Sequence, residues 1–96
     1  MKFTSILHTV RDAIAPSKSA QLVSQWITRM RDGLAEIANY QGNGMKDEAT
    51  ESWRNIRLAP LSIRNRLQEQ GASGHYLRRV DLFVSQQPEY GGHSIK

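Results

Sequence analysis

Between Ser19 and about Tyr40 the apolar residues Leu22, Val23, Trp26, Ile27, Met30, Leu34, Ile37 and Ala38 recur at i, i+3, i+4 and i+7. In a helix of 3.6 residues per turn that spacing gathers them on one side, and burial of that side is what stabilises a helix of this kind. The segment is therefore one long amphipathic helix, and the rest of the chain has to cover its apolar stripe. Ser17 and Ser19 are N-cap candidates for it, Trp26 lies mid-stripe and belongs in the core, and Arg29 and Asp32 pair at i, i+3 on the wet side. Gly33 interrupts the stripe between Met30 and Ile37 at a cost of about 1 kcal/mol relative to alanine. It marks a close helix crossing or a dimer seam, or it is simply tolerated; tolerance is the default reading.

Before this helix, Phe3, Ile6, Leu7, Val10 and Ile14 predict a short amphipathic helix over about residues 4–15, ended by Pro16. After it, "YQGNGMKD" is a stop, with two glycines and an asparagine before Asp47 as a candidate N-cap. A third helix carries Glu48 and Glu51 in its first turn and Ala49, Trp53 and Ile56 on one face, ending near Leu58. "PLSIRNRLQEQ" predicts a fourth, with Pro60 in its first turn, Leu61, Ile63 and Leu67 apolar, and Gly71 as its C-cap. Ser73 caps a fifth, whose Tyr76, Leu77, Val80, Phe83 and Val84 form one face before Pro88 stops it. No segment alternates with period two. The expected fold is all-α: a compact single domain of about five short helices over residues 1–87, the second (about 19–40) the longest, with a flexible tail over 88–96.

With 96 residues the core is thin, since a domain of this size buries roughly 60 to 65% of its unfolded surface. Cysteine is absent, which excludes disulfides, thiolate nucleophiles and cysteine-ligated metals. No apolar run approaches the roughly 20 residues of a membrane span, and His8, Arg11 and Asp12 interrupt the apolar centre that a secretory signal needs, so the expected location is the cytoplasm with no membrane partner. The net charge of +4 favours acidic partners. It is concentrated: Trp53 to Val80 holds six arginines (54, 57, 64, 66, 78 and 79) against Glu69 alone.

Catalysis needs convergent groups, and His8, His75 and His93 stand far apart, none at metal-ligand spacing with another histidine or a carboxylate. No nucleophile elbow, phosphate loop or dinucleotide fingerprint is present, and "GNG" at 42–44 is a turn. The expectation is a non-enzymatic protein without cofactor or metal; a small ribonuclease built on His75 with Arg78 and Arg79 is the weaker, enzymatic alternative.

"RLQEQGASGHYLRRV" partly resembles the helix-turn-helix of bacterial and phage repressors, with Gly71 as the turn glycine, Ser73 as the cap of the second helix, and Leu77 and Val80 as its anchors. It departs from the motif at Leu67, where a small residue is usual, at Arg66 and Gln70, where apolar residues are common, at Ala72, and at Gly74 in the start of the second helix. The resemblance implies a DNA-binding regulator in which Gly74 to Arg79 enter the major groove and Arg78 or Arg79 reach guanine edges or phosphates. Arg54 and Arg57, at i, i+3 on the third helix, are candidate phosphate contacts, with His75 beside the second helix's start. Arg64 and Arg66 are about 200° apart around their helix and face different ways. The bland alternative is helix pairing: Glu51 with Arg54, Arg66 with Glu69, Arg78 with Asp81.

The competing expectation is a protein-binding module, such as a small helical inhibitor, adaptor or antitoxin-like protein of the kind that phages and plasmids encode. Arginine, tryptophan and tyrosine dominate interface hot spots, and Trp53 and Tyr40 are the aromatic contact candidates, with Tyr90 beside glycines. Nucleic acid is the expected partner ahead of an acidic protein surface, and the stripe of the second helix holds the core or a homodimer.

Overall fold

The structure, a computed structural model, describes residues 18–96; the expected first helix over 4–15 and its stop at Pro16 lie outside the described residues. Four helical elements follow in order: α1 (Lys2–Gly42, described from Lys18), α2 (Lys46–Ile56), α3 (Ala59–Glu69) and α4 (Gly74–Ser85). Only Arg57 and Leu58 separate α2 from α3, so the described chain makes three helical arms rather than the expected five short helices, and the longest is the first element. The third and fourth expected helices run almost together because Pro60 sits within the first turn of α3, where its missing N–H interrupts nothing; the first α3 amide to bond back is that of Ser62, to the Leu58 carbonyl.

Two glycines set the ends of the longer arms. Gly44 has φ 71°, the Gly44 amide donates to the Gln41 carbonyl and the Met45 amide to that of Tyr40, the paired bonds of a Schellman C-cap on α1. The same motif ends α3, where Gly71 has φ 68° and the Gly71 and Ala72 amides donate to Gln68 and Leu67. Ser73 does occupy the N-cap of α4, but its side chain makes no capping hydrogen bond; its carbonyl accepts from the Tyr76 amide instead. Asp47 is not the cap of α2. That position belongs to Met45, and Asp47 and Glu48 lie in the first turn, at the positive end of the helix.

Cross-contacts give the direction of each arm. Ser52 Oγ donates to Glu36, a Cβ on Gly33 would lie 3.2 Å from Ile56 Cγ2, and Trp26 Nε1 donates to the Ala59 carbonyl at 3.2 Å. Positions fall along α1 as they rise along α2 and α3, so this arm runs antiparallel to α1. Along α4 they rise together: Ser19 and Tyr76 wall one recess, and Trp26 meets Phe83 edge-on at 5.5 Å. Gly33 is thus the point of close approach between α1 and α2, the crossing that the sequence offered as its second reading.

The expected stripe is the core. Val23, Met30, Leu34 and Ile37 of α1 are buried. The C-terminal half of α1 packs with Ala49, Phe83 and Ile95, the N-terminal half with Ile63, Leu67 and Val80, and Trp26, Ile27 and Val84 border both clusters. Leu67, one of the departures from the repressor motif, is fully buried here between α1 and α4 rather than absent for a tight crossing.

Residues 88–96, read from the sequence as a flexible tail, lie back across α1 and α2 in the structure. Gly91 and Gly92, both at positive φ, turn the chain so that Tyr90 and His93 exchange backbone hydrogen bonds at 2.9 Å. Beyond the turn, the His93 ring stacks on Trp53 at 5.0 Å, Trp53 Nε1 donates to the Ser94 carbonyl at 2.9 Å, and Ile95 enters the core.

Candidate nucleic-acid interface

The six arginines of the basic stretch do not form one surface. Arg54 pairs with Glu51 at 3.9 Å, the i, i+3 partner expected for it, on the exposed side of α2. Arg57 lies over the Trp53 ring at 5.8 Å. Arg64 makes an ion pair with Asp81 and thereby ties α3 to α4. Asp81 is thus engaged by the neighbouring helix rather than by Arg78, because α4 turns its Asp81 side toward α3. Arg66, opposite Arg64 on α3, faces a groove against α1.

Arg29, Arg66, Arg78 and Arg79 make no ion pair or hydrogen bond among the described residues. Arg78 is exposed and Arg79 half-buried on α4. The Arg78 side chain folds back along its helix, so that its Nη1 would lie 3.3 Å from a Cβ on Gly74. Glycine at the first position of α4 leaves that space open. The guanidinium therefore stands at the start of a helix whose first turn contains no acid and whose N-cap serine side chain accepts no bond from the first-turn amides. The helix dipole and the uncapped amides add partial positive charge there. His75, exposed, packs edge-on to Tyr76 at 5.2 Å, and a recess of about 300 Å³ beside it is walled by Ser19, Gln70, Ser73 and Tyr76.

Of the residues expected to act together, His75, Arg78 and Arg79 share the N-terminal half of α4. Arg54 sits on α2 and Arg57 just past its end, and α2 packs on the other half of α1. Trp53 is half-buried and occupied by His93, Ser94 and Arg57. Tyr40 is half-buried against the core that contains Ile37 and Ile95, and so is Tyr90. None of these aromatics is a free surface ring.

A second constellation escaped the sequence reading. Leu22, Gln25, Trp26 and Arg29 of α1 face Ala59, Ser62, Ile63 and Arg66 of α3 across an open groove of about 530 Å³, with Asn55 and Leu58 closing one end. Each wall repeats i, i+3, i+4, i+7, the signal that could have marked it. Trp26 and Ile63 belong to the core pattern as well, and that assignment hid the groove. Among the described residues no three His, Asp or Glu side chains converge as metal ligands, and no helix is long and apolar enough to cross a membrane.

No family model, no curated protein and no solved structure matches the chain.

Proposed function

We propose that the protein is a non-enzymatic nucleic-acid-binding protein that grips backbone phosphates at the start of α4. The observation that carries this reading is the position of Arg78: a guanidinium without a partner among the described residues, held at the uncapped N-terminus of a helix that follows a glycine turn. A phosphate placed there meets the guanidinium and the free amides of the first turn together, an arrangement suited to a tetrahedral anion. Arg79 and His75 extend the contact to neighbouring phosphates. The order helix, glycine turn, helix is that of the repressor motif, and in this reading α4 is the element presented to the groove of a duplex. Arg54 and Arg57 are left out of the contact, since α2 covers a different half of α1.

Replacing both Arg78 and Arg79 by alanine tests the proposal by fluorescence anisotropy on a labelled random duplex. Binding several-fold weaker or worse, at unchanged helical circular dichroism, supports it. Unchanged affinity contradicts it.

A further inference from the structure

The groove between α1 and α3 lies away from the α4 surface and carries an inference independent of the nucleic-acid reading. Leu22, Trp26, Leu58 and Ile63 give it apolar surface, Gln25, Asn55 and Ser62 polar surface, and its cationic groups are Arg29 and Arg66; among the described residues no carboxylate lines it. Both arginines lack a partner among the described residues. The Trp26 indole N–H is already satisfied by the Ala59 carbonyl, so the ring offers the groove an apolar face rather than a donor. Because α1 and α3 run antiparallel, Leu22 lies opposite Arg66 and Arg29 lies opposite Leu58. The arginines therefore bracket the groove at opposite ends, separated along it by seven residues of helix, about 10 Å at about 1.5 Å per residue.

We infer that this groove is a docking site for an acidic amphipathic helix of a partner protein, with carboxylates two turns apart reaching Arg29 and Arg66 and the apolar residues between them lying against Trp26 and Leu58. The charge of the groove selects acid, and its length selects i, i+7 spacing. A helix satisfies its own backbone and sets side chains seven residues apart about 10 Å along its axis, the separation of the two arginines, whereas an extended peptide crosses that distance in roughly three residues. Leu58, 55% exposed, continues the apolar part of the groove outward at the Arg29 end, where a rod laid along the groove covers it. The chain's own N-terminal stripe does not fit the role, because Lys2 and Arg11 outweigh Asp12 there.

The test uses synthetic fluorescent peptides titrated onto the full chain. The first carries glutamates at i and i+7 with leucines at i+3 and i+4; the others move the leucines to the opposite face, replace glutamate by lysine, or place proline mid-helix. The expected result is micromolar binding of the first peptide and at least tenfold weaker binding of the other three. Arg29→Glu with Arg66→Glu should cost the acidic peptide at least tenfold at unchanged circular dichroism, and should gain affinity for the lysine peptide. Equal binding of all four peptides, or no effect of the double charge reversal, overturns the inference. So does displacement of the peptide by a random DNA duplex together with loss of duplex binding in R29E/R66E, since the groove then belongs to a nucleic-acid surface. Loss of duplex binding on replacing Arg78 and Arg79 leaves the inference untouched, because the groove contains neither residue.

Discussion

Replacing Ile95 by alanine should destabilise the protein by about 2 to 3 kcal/mol. The side chain is 7% exposed and packs with Met30, Leu34, Ile37, Ala49 and Phe83. The substitution removes three carbons, worth about 2.4 kcal/mol at roughly 0.8 kcal/mol per buried CH2. A cavity left behind would add to that in a rigid core, but here the wall opposite α1 is a single strand of chain that can settle inward, so the added cost is small. The loss also has a ceiling. Once the interaction of residues 93–96 with α2 is weaker than the cost of ordering them, the segment leaves the core and further truncation changes nothing. Deleting residues 93–96 should therefore cost only slightly more than Ile95→Ala, the difference being the His93 stack and the Trp53 to Ser94 hydrogen bond. Urea denaturation followed by circular dichroism gives the free energies, and tryptophan emission should shift to the red in the truncated protein as Trp53 gains water. An Ile95→Ala midpoint within error of the parent's, with no change in emission on truncation, would refute the packing described for the segment.

Two glycines make sharper tests of the backbone. At Gly33 the helix-propensity gain of alanine, about 1 kcal/mol, opposes a Cβ placed 3.2 Å from Ile56 Cγ2. Since Ile56 ends α2 and is only half-buried it can yield, so Gly33→Ala should fall within about 1 kcal/mol of neutral by thermal denaturation, whereas Gly33→Val should cost roughly 1 to 3 kcal/mol by overpacking; a neutral valine variant would remove the crossing from the account. At Gly71, φ 68° disfavours any side chain, and alanine should cost about 1 kcal/mol with no space limitation, because nothing lies within 4 Å of its Cβ. A stabilised Gly71→Ala protein would mean that α3 does not end in this cap.

Local features of the fold were legible, and non-local ones were not. The stripe from Leu22 to Ala38 and the glycines at 44 and 71 act within a turn or two of helix, so their spacing alone predicts a long arm and its ends. Pro60 was read as a boundary between helices, and it is one, but placed inside the first turn of α3 it leaves only a two-residue bend. "EYGGHSIK" has no periodicity, and what orders it is Trp53, which is 41 residues from its hydrogen-bond partner Ser94. The arginines divide the same way. The angular separation of Arg64 and Arg66 was readable from the helix and is realised as an ion pair on one side and a groove on the other. That Asp81 would turn to Arg64 instead of Arg78 depends on how α3 and α4 pack, which leaves no trace in either helix alone.

The salt dependence of nucleic-acid binding tests the central proposal most directly. Arg78, Arg79 and the start of α4 together neutralise about two to three phosphates, so the slope of log K against log salt should be about −1.8 to −2.7 on duplex DNA. Affinity should then fall roughly 10- to 40-fold between about 50 and 200 mM salt. An anisotropy titration of the full chain on a random duplex at these two concentrations, repeated with R78A/R79A, should show that slope and its reduction by about two in the variant. Absence of binding at the lower salt, or a slope that the two substitutions leave unchanged, would contradict phosphate recognition by α4.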